Sequence, residues 1–131
     1  MFLTIGALLG LLSVAFGAYA EHGLRAQITD TQFHTLMTAL RYHQINAMMI
    51  SAIGLARLSS PCLRTSNFLK GSGLLFVVGT VLFSFSIYAS VVLKIPILTK
   101  AAPMGGTITM LAWLLLAYAG WSLTKHNTRL K

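Results

Sequence analysis

Charge is what this chain has least of. Of its 131 residues, ten are Lys or Arg and two are Asp or Glu, so 9% are charged. A soluble globular domain carries about a quarter. With 56% hydrophobic residues and a mean hydropathy of +0.75, the composition excludes an ordinary soluble domain and belongs to the membrane class. Cysteine is nearly absent. Cys62 stands alone, which excludes an internal disulfide and any C-x-x-C metal or redox motif; it reads as a small core-like or interfacial thiol. The only acids are Glu21 and Asp30, in different local settings, so no carboxylate pair for acid–base chemistry is expected. No G-x-S-x-G, P-loop or H-E-x-x-H pattern occurs, and these are the arrangements that nucleophilic, phosphate and zinc chemistry need. No enzyme activity, catalytic residue, metal or cofactor is therefore expected. The excess of base, +8 at neutral pH, suggests nucleic acid in a soluble protein. Here the basic residues sit singly in connectors with no patch interleaved with aromatics, so no nucleic-acid partner is expected.

What is present is a succession of apolar runs. Spans at about 2–20, 42–58, 71–93 and 103–123 approach or exceed the length needed to cross a hydrocarbon core of about 30 Å. The expected fold is an all-α membrane protein, one domain over 1–131, with four transmembrane helices in an up-down bundle. Ala18-Tyr19-Ala20 has the form of a signal-peptidase site, but no basic segment precedes it, so the first run reads as a retained span. Thr29 with Gln32 makes a capping box, and Ile28 with Phe33 a hydrophobic staple. They start a helix over 30–58 that would be about 43 Å long. Its first turns, with the apolar stripe Phe33, Leu36, Met37 and Leu40, read as an interfacial extension before the second span. Small residues mark helix-packing faces: Gly6, Gly10, Ser13 and Gly17 in the first span, Gly79 in the third, Gly105 and Gly106 in the fourth. Six basic residues fall in the second loop and the C-terminal tail, against four on the opposite side. The positive-inside rule then puts both termini in the cytoplasm.

One stretch gathers nearly all the polar chemistry. Glu21, His22, Arg41, Tyr42, His43 and Asn46 lie at the end of the first span and the start of the second, which antiparallel packing brings to one side of the membrane. They form a candidate polar cluster at the mouth between the two spans. The plainest reading is a polar lid with Glu21 paired to Arg41, since polar groups collect at span ends to avoid hydrocarbon. A sharper reading is a proton or small-ligand site, because histidine titrates near neutrality. Met48 and Met49 are adjacent and so face different ways on a helix, which argues for filler and against copper ligation.

Four segments carry a resemblance. They are Ala15-Phe16-Gly17-Ala18 followed by His22-Gly23-Leu24; Ala39-Leu40-Arg41-Tyr42; Gly79-Thr80-Val81-Leu82-Phe83-Ser84 with Ser86 and Tyr88; and Pro103-Met104-Gly105-Gly106 with Trp113. In that order they cover most of the chain, and the sequence resembles the domain-of-unknown-function family four-two-three, small four-span inner-membrane proteins with eukaryotic relatives. Family members usually run Gly-Ala-His without the intervening Tyr19-Ala20-Glu21 and carry a histidine where this chain has Asn46. The resemblance implies a multi-pass protein of the bacterial inner (plasma) membrane and no known activity. The resulting expectation is a structural or accessory subunit embedded in the lipid bilayer, packing against other membrane-protein helices or second copies of itself. The alternative is a small oligomeric transporter or channel with its polar site at the mouth between spans one and two.

Overall fold

The first helix, α1, runs Phe2–Tyr19 without a charged residue and continues as a π-helical turn, Ala20–Leu24. The Arg25 N–H donates to the Ala20 carbonyl at 3.0 Å, the wider ring that such a turn requires. The structure, a computed structural model, describes residues 1–128, and among them every regular element is helical. Helix α2, Asp30–Ser59, begins with the capping box read from the sequence: Thr29 Oγ1 accepts from the Gln32 N–H, and Gln32 Oε1 accepts from the Thr29 N–H. A short helix α3, Pro61–Thr65, fills the second connector, and Ser66 caps α4, Asn67–Thr80, by accepting from the Leu69 N–H. A second π turn, Val81–Phe85, joins α4 to α5, Ser86–Val92. A 3-10 turn, Pro96–Ala101, leads into α6, which begins at Ala102.

Three helical stretches are long and apolar enough to cross a membrane: Phe2–Leu24, Asn67–Val92 and Pro96–Leu123, with mean hydropathies of 1.9, 2.1 and 1.4. Helix α2 is not among them. Asp30, Arg41, Gln44, Asn46 and Arg57 dilute its apolar content. Its position accounts for how it carries them: α2 packs on α1 along one side and on α4 and α5 along the other, while α6 packs on α4. Two apolar clusters form the core. One joins Leu36, Ala39 and Leu40 of α2 to Ala20, Ile87 and Tyr88. The other joins Ile50 and Ile53 to Phe2, Phe76 and Ala112. The buried polar residues His43 and Asn46 fall between the two clusters along α2.

Close approach without a side chain is needed at two crossings. A Cβ on Gly54 would collide with the backbone of Leu3, and one on Gly105 with the backbone of Phe83 in the second π turn. These contacts bring α1 against α2 and α6 against the second π turn at a distance only glycine permits. Helix α5 ends through Lys94, whose φ of 58° is left-handed. The Ile95 N–H donates to the Ser90 carbonyl at 3.0 Å, the long bond of a Schellman ending, in which glycine is the usual residue.

Candidate functional site

The six polar residues picked from the sequence do not come together. Glu21 and His22 are exposed on the first π turn, and Arg41 and Tyr42 are exposed on α2. The expected Glu21–Arg41 ion pair is not formed. The one ion pair among the described residues is Arg25–Asp30, at 3.4 Å and largely exposed. The reason is helical geometry. Arg41 and Tyr42 point away from the face that carries His43 and Asn46, residues three apart that share a face. Only those two are buried, at 0% and 1% exposure.

His43 is held by aromatic groups. Its Nδ1 lies 3.1 Å from the Tyr88 hydroxyl in a buried hydrogen bond whose direction follows the imidazole tautomer. The Phe85 and Tyr88 rings approach it at 5.3 and 5.9 Å between centroids. Tyr88 is itself fixed by stacking on Phe16 of α1, 3.9 Å between centroids. The opposite ring nitrogen, Nε2, has no protein hydrogen-bond partner, and neither does the amide nitrogen or oxygen of Asn46. The surrounding hydroxyls are all satisfied: Ser13 donates to the Gly10 carbonyl at 2.7 Å, Ser84 to Ala39 at 2.9 Å, and Thr80 to Phe76 at 2.7 Å. Buried polar groups in proteins are overwhelmingly paired, which makes the His43–Asn46 face the exception in this core. Chemically, it offers a His–Tyr hydrogen-bond pair next to an amide without a protein partner, with no carboxylate beside it. Among the described residues no three His, Cys, Asp or Glu are grouped so as to hold a metal ion, and Cys62 is exposed.

The depth of this pair differs from the sequence reading. Helices α1 and α2 are antiparallel, and Leu3 meets Gly54, Gly6 meets Ser51, and Gly17 meets Leu40. The same register sets Asn46 and His43 opposite Leu11 and Val14, near the middle of the Phe2–Leu24 stretch. They therefore lie at mid-length and not at its mouth. By the same register the exposed Arg41 stands opposite Phe16, about one helical turn from the middle.

Beside this pair, α1 and α2 leave an open groove of about 570 Å3, lined by Gly6, Ala7, Gly10, Gln44, Met48 and Ser51 among others. Gly10 faces it with nothing within 4 Å of a built Cβ. Gly10 therefore meets no helix of its own chain and is open to a neighbour outside it. The other small residues do pack. Gly6 sits on Ala47 and Ser51, Gly17 under Leu40, Gly79 against Thr109, and Gly106 beside Phe83; Ser13 is buried. Two participants were not read from the sequence. Gly54 gave no sign because its contact, Leu3, lies at the far end of another helix. Tyr88 gave one: it stands in the third-span segment that carries the resemblance.

Comparison with known proteins places the chain in context. The model of a family described as "Protein of unknown function (DUF423)" matches residues 16–106. The chain is 30% identical over 119 residues to the UPF0382 membrane protein YwdK of Bacillus subtilis, covering 91% of this chain and 94% of that protein. It is 31% identical over 120 residues to a UPF0382 membrane protein of Haemophilus influenzae, covering 92% and 93%. A UPF0382 membrane protein of Schizosaccharomyces pombe is 31% identical over 121 residues, covering 83% of this chain and 92% of its own. No solved structure matches.

Proposed function

The chain belongs to the DUF423 family of membrane proteins, and from that footing we propose that it is a structural or accessory subunit that seats a transmembrane helix of another subunit in the groove between α1 and α2. The observation that carries the reading is the exposure of Arg41 and Gln44 alongside the middle of α1. Because α2 runs beside α1 from the Leu3–Gly54 contact to the Gly17–Leu40 contact, the apolar layer that α1 crosses is crossed by α2 as well. In this reading α2 is a fourth span in an up-down bundle, and the positive-inside rule supports both termini on the more basic, cytoplasmic side of an inner (plasma) membrane. An arginine near the centre of a span costs about 2.5–3.5 kcal/mol on insertion scales. A partner helix that brings a carboxylate or a free carbonyl to Arg41 removes most of that cost, and the open Gly10 lets its backbone come close. The proposal involves no chemical step.

Extraction in mild detergent tests it. The wild-type protein should run as a discrete stoichiometric complex, and Arg41→Leu/Gln44→Leu should run as a lone, folded bundle. A wild-type protein that is monodisperse with nothing bound contradicts the reading.

A second reading, a small oligomeric transporter or channel, is favoured by the unpartnered His43 Nε2 and Asn46 amide at mid-depth. Proton, cation or small-solute flux in proteoliposomes, lost in His43→Ala, supports it; absence of flux for all three dismisses it.

A further inference from the structure

At the end of the molecule opposite Glu21 and Asp30, a cavity of about 270 Å3 is lined by Arg57, Arg64 and Lys70, together with Leu3, Gly54 and Leu58. The three cations come from three different elements, the end of α2, the short helix α3 and the start of α4, so they reach one cavity through the folding of the second connector. Neither acid of the chain is near. Both lie in or beside the first π turn and the start of α2, and the one ion pair among the described residues is at that other end. Arg57 is already committed. Its Nη1 donates to the Leu63 and Ser66 carbonyls at 3.4 and 3.0 Å, which ties the connector over the cavity. Its guanidinium also stands 5.9 Å from the centre of the Phe2 ring. Arg64 and Lys70 are exposed and have no acidic partner among the described residues.

We propose that this cavity is a binding site for a phosphate group, with Arg64 and Lys70 as its ligands and Arg57 as the residue that positions them. Uncompensated cations converging on a concave site raise the local concentration of anions. An arginine guanidinium matches two phosphate oxygens with parallel donors, while a lysine adds a compact charge. The rim favours a phospholipid headgroup as the source. Leu3 and Leu58, 37% and 59% exposed, flank the cations with apolar surface on which acyl chains can lie. Basic pockets between helices at the cytoplasmic end of a bundle suit anionic lipids for this reason.

The test uses the full chain in neutral detergent micelles, titrated in one arm with inorganic phosphate and in the other with micelles doped with phosphatidylglycerol or phosphatidylcholine. The readout is intrinsic tryptophan fluorescence or a shift in the thermal midpoint. Wild type should show saturable binding of phosphatidylglycerol over phosphatidylcholine, weakened about tenfold in Arg64→Gln/Lys70→Gln, the loss expected when charge-assisted contacts are removed. The charge-matched control Arg25→Gln/Lys94→Gln, at the other end of the molecule, should bind as wild type does. Saturation by inorganic phosphate with the same variant pattern supports the site and assigns it to a soluble anion. Absence of binding in both arms, or equal weakening in the two double variants, overturns the proposal.

Discussion

His43 and Tyr88 stand 45 residues apart and meet through one buried hydrogen bond. At the residue scale this contact and the unpaired amide of Asn46 make opposite predictions. Tyr88→Phe keeps the ring stacked on Phe16 but strands Nδ1 of His43 in a buried position. A stranded buried group costs about 1–3 kcal/mol, so the thermal midpoint in detergent should fall. Asn46→Leu removes a side chain whose polar atoms have no protein partner and substitutes an apolar one of similar size. It should leave stability unchanged or raise it by about 1 kcal/mol. A fall of the size seen for Tyr88→Phe would show that the amide is paired in the folded protein. The sequence singled out His43 and Asn46 as polar residues but could not tell their company. The periodicity of α2 separates them from Arg41 and Tyr42 only once it is known which face of that helix is inside, and α2 has polar residues on both faces.

At the element scale, the α1–α2 crossing is written in glycines whose roles differ. Gly54 admits the backbone of Leu3, whereas Gly10 faces open space. Gly54→Ala should therefore force the helices apart and lower stability by about 1–3 kcal/mol. Gly10→Ala should be neutral or slightly stabilising in the isolated bundle, since alanine is the better helix former by about 1 kcal/mol. Thermal unfolding of the two single variants side by side distinguishes them. Gly6 and Gly17 face α2 whereas Gly10 does not, and the spacing of small residues along the first span could not set Gly10 apart, because a repeat of small residues looks the same whether its partner lies inside or outside the chain. Lys94 is the other element-level feature. Its left-handed φ of 58° is unfavourable for a side chain and ordinary for glycine. Lys94→Gly should raise the thermal midpoint, by an amount equivalent to about 1 kcal/mol.

At the scale of the whole molecule, composition gave the membrane class, and the long apolar runs gave the all-helical fold, because a strand of a closed barrel would be about half as long and would alternate polar with apolar residues. Neither gave the depth of the polar residues. Read linearly, Arg41 to Asn46 look like the entrance of a span, since the apolar run begins after them. The antiparallel register with α1 moves them toward the middle of α1, where the helices packed on two sides of α2 bury His43 and Asn46. The third side, where Gln44 and Met48 line the groove with Gly10 and Arg41 is exposed about one turn before Gln44, is the one that the proposed function assigns to another subunit.

Site-specific photo-crosslinking in intact membranes examines that side directly. A photoreactive residue in place of Met48, at the groove, is compared with one in place of Leu114, on the exposed surface of α6. The account predicts a protein adduct of one defined mass from position 48, abolished in Arg41→Leu/Gln44→Leu, and none from position 114. Position 48 giving no protein adduct, or the same adducts as position 114, would contradict it.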